Sequence, residues 1–316
     1  MLIATGASPV VPSIEGAHLP GISPFWYADD ARKVYDLANS AKQVAVVGAG
    51  FVGLQVLDCL LRQGKSIWLI ETLDHLLPNV LDPGGAEIVL ERLLQKGVHV
   101  HLKDKVYSIR EAGKKKLLSI TSGGTLKVDL VIFATGTRPN VDFLKRSGIK
   151  VSRGVIVDDY CRTSAEGIYA AGDVTESIDP VTEKVGANPT WPNAVEQGWT
   201  AGLNMAGREV TRRRRIRSNV FTISDLCCAS VGLVSGTNKG YSEFVQKTGS
   251  TYRKLIFKDN SLVGAILVGD IEDAGVLNHF IELQKIFPES KIEMVKPDEI
   301  ASVAGALCSW AGNHTQ

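Results

Sequence analysis

Gly48, Gly50 and Gly53 stand in G-x-G-x-x-G spacing, and Glu71 follows eighteen residues after the last of them. Together these four residues could hold a dinucleotide. Gly48 allows a tight turn, Gly50 lets backbone approach a pyrophosphate, and Gly53 lets a helix pack closely on a strand. A helix start presents N–H groups and partial positive charge to phosphates. A carboxylate at position 71 is placed to accept hydrogen bonds from both hydroxyls of an adenosine ribose, and it would repel a 2′-phosphate. No arginine follows in Thr72-Leu73-Asp74-His75. NAD(H) is therefore expected over NADP(H).

Such a site needs a strand, a helix and a second strand. Val44–Val47 reads as a buried parallel strand. Val52, Val56, Leu57, Leu60 and Leu61 form a helical stripe, and Ile67–Ile70 reads as the second strand, ending on Glu71. Around this core, Asp29–Ala38 reads as a helix capped by Asp29 or Asp30. Ala86–Lys96 is amphipathic, turns Ile88, Val89, Leu93 and Leu94 toward a sheet, and stops at Gly97. Val98–Leu102 alternates with period two, so His99 and His101 share one face. A metal would need a third ligand nearby. None is in reach, so exposed strand histidines are expected and no metal site. Val106–Arg110, Leu117–Thr121 and Thr125–Val128 read as a short antiparallel meander.

Two similar segments bracket that unit. Leu2-Ile3-Ala4-Thr5-Gly6 precedes it, and Val131-Ile132-Phe133-Ala134-Thr135-Gly136 closes it, followed by Thr137-Arg138-Pro139-Asn140. The arrangement predicts one domain inserted into another. Further on, Gly154–Asp158 and Gly167–Asp173 read as strands of small residues. Such strands end where a bulky ligand lies close, and Asp173 could accept hydrogen bonds from ligand hydroxyls. Ala187-Asn188-Pro189-Thr190-Trp191-Pro192-Asn193 then opens a helix running to about Met205, with Pro192 in its first turn.

Composition bounds the class. The chain has 316 residues, a 44% apolar share and a formal charge of +1, as expected of two or three globular domains. Near-neutral balance gives no reason to expect nucleic acid as a partner. No run approaches the roughly 18 apolar residues of a membrane helix, and MLIATGASPVVP lacks the pattern of a signal peptide. Cys59, Cys161, Cys227, Cys228 and Cys308 form no C-x-x-C and no disulfide framework. Reduced thiols in a cytoplasmic protein are expected.

Taken in order, A-T-G, G-x-G-x-x-G, A-T-G-x-R-P-N, A-A-G-D and P-x-A-x-x-Q-G resemble the FAD-dependent pyridine-nucleotide oxidoreductases. The GANPTWPNAVEQG stretch and the absent C-x-x-C are similar to NADH:acceptor reductases of the rubredoxin-reductase and nitrite-reductase types. The resemblance spans Leu2 to about residue 275. It implies an α/β fold of the two-dinucleotide-domain flavoprotein type. A Rossmann-like NAD domain (residues 23–138) would be inserted in a partial FAD domain (1–22 and 139–218). A small C-terminal α/β interface domain (219–316) would follow.

The resemblance also implies two cofactors, NADH and FAD. Gly48, Gly50, Phe51, Val52, Gly53, Glu71 and Gly136 would contact NADH. Thr5, Gly6, Ala7 and Arg138 would lie near FAD, as would the Thr135-Gly136 turn. Gly172 and Asp173 would hold its ribityl chain. Trp191, Pro192 and Asn193, at the helix start, would face the flavin pyrimidine. Gln55 stands where many members carry Glu. It could position the nicotinamide through its amide but brings no charge. The implied activity is hydride transfer from NADH to FAD, with electrons passed to a protein or small-molecule acceptor such as an acidic rubredoxin. The family also carries an FAD-binding segment ahead of the first A-T-G that this sequence does not contain. A partial subunit that binds NADH without independent flavin chemistry is therefore the alternative, and a non-catalytic interaction protein is a third.

From about Asn219 a separate small α/β domain is expected, with a hairpin at Lys258-Asp259-Asn260-Ser261 and a face for a homodimer. Cys227-Cys228 is expected to be a pair of strand residues, since adjacent cysteines rarely form a relaxed disulfide. Arg212–Arg215 is expected as a solvated surface run. The alternative is a docking site for an acidic electron carrier, with charge steering the encounter.

Overall fold

The computed structural model describes residues 1–236, 240–284 and 286–287. The chain divides into two compact units, Met1–Ser8 with Thr137–Arg217 and Pro9–Gly136 with Ser218–Gln316.

The larger unit is built on a five-stranded parallel sheet. Its order is Ile22–Pro24, Leu130–Phe133, Gln43–Val47, Ser66–Ile70, His99–His101. A parallel sheet needs cover on both faces, so its central strands are almost wholly apolar. The side chains sort accordingly. Val44, Val46, Ile67, Leu69 and Ile132 share one buried cluster with the helices Ala28–Ser40, Phe51–Arg62 and Pro83–Gln95. Ala45, Val47, Ile70, Val131 and Phe133 share another with Val106, Ile109, Leu118, Ile120 and Val128. Those last residues belong to the antiparallel meander Val106–Ala112, Lys115–Ile120, Thr125–Val128. Helices cover one face, and the expected meander covers the other.

Two helix starts differ from the sequence reading for a local reason. The first helix begins at Ala28, because the Asp30 carboxylate accepts the Tyr27 N–H at 2.9 Å from inside the helix. The third begins at Pro83, one turn before the expected Ala86. Asp82 caps it by accepting the Gly85 N–H at 3.1 Å, and proline suits the first helical position.

The C-terminal segment forms a five-stranded antiparallel sheet in the order Ser218–Ile223, Leu226–Gly232, Ser261–Val268, Thr251–Lys258, Tyr241–Thr248. The helix Ala274–Glu282 follows it. The expected hairpin is present, with Asp259 and Asn260 both at positive φ as its two-residue turn requires. The segment does not stand apart. Phe221, Ile223, Leu226, Cys228, Tyr252, Ile266 and Val268 are buried in the same cluster as the nucleotide-side helices. Cys308 and the end of the chain lie outside the described residues.

The smaller unit has shorter elements. Leu2–Ile3 pairs in parallel with Tyr169–Ala170, and Ala7–Pro9 pairs with Thr137–Pro139. Val155–Ile156, Thr175–Ile178 and Val185–Gly186 form a three-stranded sheet. The helix Trp191–Met205 completes it. The expected strands at Gly154–Asp158 and Gly167–Asp173 shrink to these two-residue pairings. No described helix is long and apolar enough to cross a membrane.

Candidate functional site

The three glycines of the larger unit meet three different surroundings. Gly48 has φ +106°, and a Cβ there would lie 2.3 Å from the Ala134 carbonyl oxygen. A Cβ on Gly53 would lie 2.0 Å from the Gly48 oxygen. A Cβ on Gly50 would meet nothing within 4 Å. The outer glycines are therefore required by the turn and by helix–strand packing. The middle one faces open space where a ligand can approach. No side chain caps the Phe51–Arg62 helix, whose N-cap is Gly50. Its first-turn N–H groups form an anion-binding end.

Glu71 is 8% exposed and tied to this turn. Its Oε2 accepts the Ala49 N–H at 2.7 Å. Its Oε1 accepts the Leu73 N–H at 2.9 Å and the Thr72 hydroxyl at 3.0 Å. A carboxylate offers about four lone-pair positions, and three of them are occupied. The acid thus has room for one further strong donor, fewer than the two hydroxyls expected from the sequence.

Phe51, at the helix start, is 40% exposed and meets Phe221 edge to face, with centroids 5.3 Å apart. Gln55, one turn on, donates from Nε2 to the Thr222 carbonyl at 3.3 Å. Phe51, expected to contact NADH, and Gln55, expected at the nicotinamide, are therefore both held against the C-terminal sheet. Val52 is half-buried between them in sequence. In the closing A-T-G turn, Gly136 accepts the Val10 N–H and Thr135 donates to the Val10 carbonyl.

In the smaller unit, Asn140 stitches the first A-T-G turn. It accepts from Thr5 Oγ1 on its carbonyl at 2.9 Å, donates from Nδ2 to the Thr5 carbonyl at 2.8 Å, and donates its N–H to Gly6. Ser8 donates to its Oδ1. The asparagine of R-P-N thus closes the turn at Thr5, Gly6 and Ala7. Arg138 ion-pairs with Asp142 at 2.8 Å on an exposed surface, where such a pair contributes little.

Asp173 is half-buried, and burial pushes its carboxyl above the usual carboxylate range. No hydrogen bond to that carboxylate is found among the described residues. The neighbouring Gly172 N–H is accepted by Gln197 Oε1 at 2.8 Å. Trp191 and Pro192 open the helix, with Trp191 84% exposed and no side-chain cap at Thr190. Asn193 turns inward instead, donating to the Asn188 carbonyl at 2.9 Å. An acceptor lacking a donor and an uncapped helix start are what a polyhydroxylated, electron-accepting cofactor such as FAD would fit. This helix buries Asn193, Gln197, Thr200 and Asn204 and exposes Trp191, Val195 and Trp199. Gln197 lies within the P-x-A-x-x-Q-G motif, yet its role could not be read there, because its partner is 25 residues away.

The arginine run needs correction. Arg212 is 5% exposed, lies 3.6 Å from Asp159 and donates to the Ile178 carbonyl. Arg214 Nε donates to Asp159 at 2.9 Å, Arg215 pairs with Glu196 at 3.2 Å, and Arg217 donates to the Ala187 carbonyl. The hydrogen bond from Arg214 holds Asp159 below the usual carboxylate range. Arg212 is therefore buried rather than solvated, while Arg213 and Arg214 are exposed as expected of a surface run.

The four cysteines among the described residues, Cys59, Cys161, Cys227 and Cys228, are free. Burial pushes the Cys161 and Cys228 thiols up to about 12, which leaves them un-ionised and unreactive. Cys227, opposite Thr222 on the neighbouring strand, has its sulfur 3.7 Å from that hydroxyl. His99 stacks on Trp68 with centroids 4.8 Å apart, and no cluster of three metal-ligating side chains occurs among the described residues.

Comparison with known proteins agrees with this geometry. Residues 1–198 match the family described as pyridine nucleotide-disulphide oxidoreductase, and residues 218–285 match the rubredoxin NAD+ reductase C-terminal domain. The NADH oxidase of Methanocaldococcus jannaschii is 38% identical over 239 residues, covering 74% of this chain and 53% of that protein. The assimilatory nitrate reductase electron transfer subunit of Bacillus subtilis is 29% identical over 300 residues, covering 94% of this chain and 38% of that protein. Among solved structures, the NAD-dependent persulfide reductase from A. fulgidus superposes with a TM-score of 0.86 at 27% identity. It covers 99% of this chain and 63% of that one. The fold is that of the two-dinucleotide-domain flavoprotein reductases with a C-terminal domain. The chain spans about half the length of curated relatives such as the M. jannaschii protein.

Proposed function

The chain belongs to the pyridine nucleotide-disulphide oxidoreductase family, and on that premise we propose that it is an NADH-dependent flavoprotein reductase that passes electrons to a small protein carrier. The family and the NADH oxidase and reductase names of its relatives support an NAD(P)H oxidoreductase using FAD and NADH. FAD, when bound, supplies a two-electron acceptor for the nicotinamide hydride and an outlet for electrons.

The remaining work falls to the chain's own residues. The uncapped helix start at Gly50–Phe51 receives the pyrophosphate, and Gly50 leaves the space for it. Glu71 accepts one ribose hydroxyl and repels a 2′-phosphate. Phe51 and Gln55, braced by Phe221 and Thr222, position the nicotinamide. Asp173 accepts from the ribityl hydroxyls, and the Trp191–Met205 helix start favours negative charge on the pyrimidine edge by about 0.3–1 kcal/mol, or more if buried. The observation that carries this reading is the contrast at the three glycines: two closed against backbone, one open. A small protein carrier is supported by the match of residues 218–285 to a rubredoxin reductase domain. The division into FAD, NAD and C-terminal segments at residues 22, 138 and 218, and a cytoplasmic location, belong to the same reading.

A second reading is favoured by one observation. Leu2–Ile3 and Tyr169–Ala170 form a two-stranded parallel sheet, whereas parallel strands normally sit in larger covered sheets. In that reading the chain binds NADH and takes up FAD only together with further polypeptide. The visible spectrum of the purified chain separates the two. A flavin spectrum that bleaches with NADH under anaerobic conditions supports the first. A colourless protein that still binds NADH replaces it with the second.

A further inference from the structure

Gln197 is fully buried in the Trp191–Met205 helix. Burying an amide is unfavourable unless its polar atoms find partners, and here only half of it does. Oε1 accepts the Gly172 N–H at 2.8 Å and lies 2.9 Å from Thr175 Oγ1. Thr175 Oγ1 in turn lies 2.8 Å from the Gly172 carbonyl oxygen. The Gly172 N–H decides the orientation of the amide, because an NH2 group in that place would set donor against donor. Nε2 is left buried without a partner. The oxygen end is the end that is used.

What it holds is the N–H side of a turn whose carbonyl side is held by the Thr175 N–H at 2.9 Å. Gly172 has φ +83°, the left-handed conformation a glycine can leave easily. Asp173 follows it with its carboxylate unengaged. The oxygen of Gln197 links this turn to the middle of the helix, and the first turn of that same helix is Trp191-Pro192-Asn193.

We propose that Gln197 is a positioning residue: its Oε1, by fixing the Gly172 N–H, holds the Asp173 carboxylate in a set relation to the Trp191–Met205 helix start, so that both meet one flavin. This rests on the FAD reading above. Gln197 itself need not touch the cofactor.

Two variants test it, with NADH affinity and thermal unfolding as controls. Q197M keeps the side-chain length and removes the acceptor. It should weaken FAD binding, read by quenching of flavin fluorescence, by roughly tenfold or more, and speed hydrogen exchange at the Gly172 amide. NADH affinity should stay unchanged. Q197E keeps the acceptor and replaces only the unpartnered NH2. At about pH 6 the buried acid keeps an acceptor on the Gly172 N–H and should bind FAD within about threefold of the parent. Parental FAD affinity in Q197M overturns this inference and leaves the flavin reading intact. A parent chain that takes up no flavin overturns both. Should Q197M fail to fold, a stably folded Q197E that binds FAD tenfold or more weakly than the parent at about pH 6 overturns the inference by itself.

Discussion

The backbone N–H of Ala49 donates to the Glu71 carboxylate at 2.7 Å. The residue between the first two motif glycines is thus bonded to the acid at the end of the next strand. Glu71 braces the glycine turn, beside the ribose-acceptor role proposed for it.

Removing that acid should therefore act twice. Glu71→Ala is expected to weaken NADH by about 1.5–3 kcal/mol, the worth of charge-assisted hydrogen bonds. It should also lower the melting temperature, because the Ala49 N–H loses its partner. Titration of NADH against the folded variant checks the first effect. Unchanged affinity would place the ribose elsewhere.

The glycines should separate stability from binding. Gly50→Ala puts a methyl group into open space at a backbone conformation, φ −76°, that alanine adopts freely. It should leave unfolding almost unchanged and weaken NADH by about tenfold, or about 1.4 kcal/mol. Gly53→Ala forces a carbon to within 2.0 Å of the Gly48 oxygen and should destabilise the fold by about 1–3 kcal/mol. Urea unfolding with parallel NADH titration checks both. Equal losses in the two variants would show that Gly50 is structural.

Asp82 should prove a joint between the parallel sheet's helices and the C-terminal sheet. Its carboxylate caps the Pro83–Gln95 helix and accepts from the Tyr252 hydroxyl at 2.7 Å and from Lys254 at 3.0 Å. Lys254 is 5% exposed and also pairs with Glu243 at 2.9 Å. Asp82→Ala removes a helix cap and two side-chain hydrogen bonds but leaves Lys254 paired with Glu243, so it should cost about 2–3 kcal/mol. Tyr252→Phe should cost about 1 kcal/mol. Differential scanning calorimetry measures both, and a neutral Asp82→Ala would remove the joint from consideration.

Acid should unlock a different contact. Burial alone would raise the Asp104 carboxyl, but hydrogen bonds from Ser122, Thr121 and Lys105 outweigh it and hold the group at about 2. The ordinary value is 3.8. A depressed carboxyl adds stability that is fully present above 3.8 and is lost as pH falls through about 2. The loss should amount to about 2 kcal/mol. Asp104→Asn should flatten this part of the stability curve, and denaturant unfolding across the window would show it. An unchanged slope would mean that other carboxylates set the acid limit.

Chain-local features were legible in the sequence because their causes are local. The sign of φ at Gly48, the two-residue turn at Asp259-Asn260 and the apolar periodicities of strand and helix all depend on neighbouring residues. Helix starts were less legible where the cap preceded the apolar stripe, as at Asp82. The arginine run was legible as surface but not in its pairings, because composition says how many charges a segment holds but not which partners it will meet. Folding brought Asp159 and Glu196 to the run and buried Arg212, leaving Arg213 and Arg214 exposed.

The sequence by itself determined that a glycine turn of G-x-G-x-x-G spacing exists, where it lies and which acid ends the next strand, since spacing along one chain sets all three. The tertiary structure alone decided what that acid and its counterparts can still do. Glu71 has three of its lone pairs taken, Gln55 donates to Thr222, and Gln197 is turned by Gly172. The bonds from Ala49 to Glu71, from Gln55 to Thr222 and from Gly172 to Gln197 each join residues at least twenty positions apart. A hydrogen-bonding group's capacity is written in its type, but its commitments are made only when distant segments of the chain are packed together.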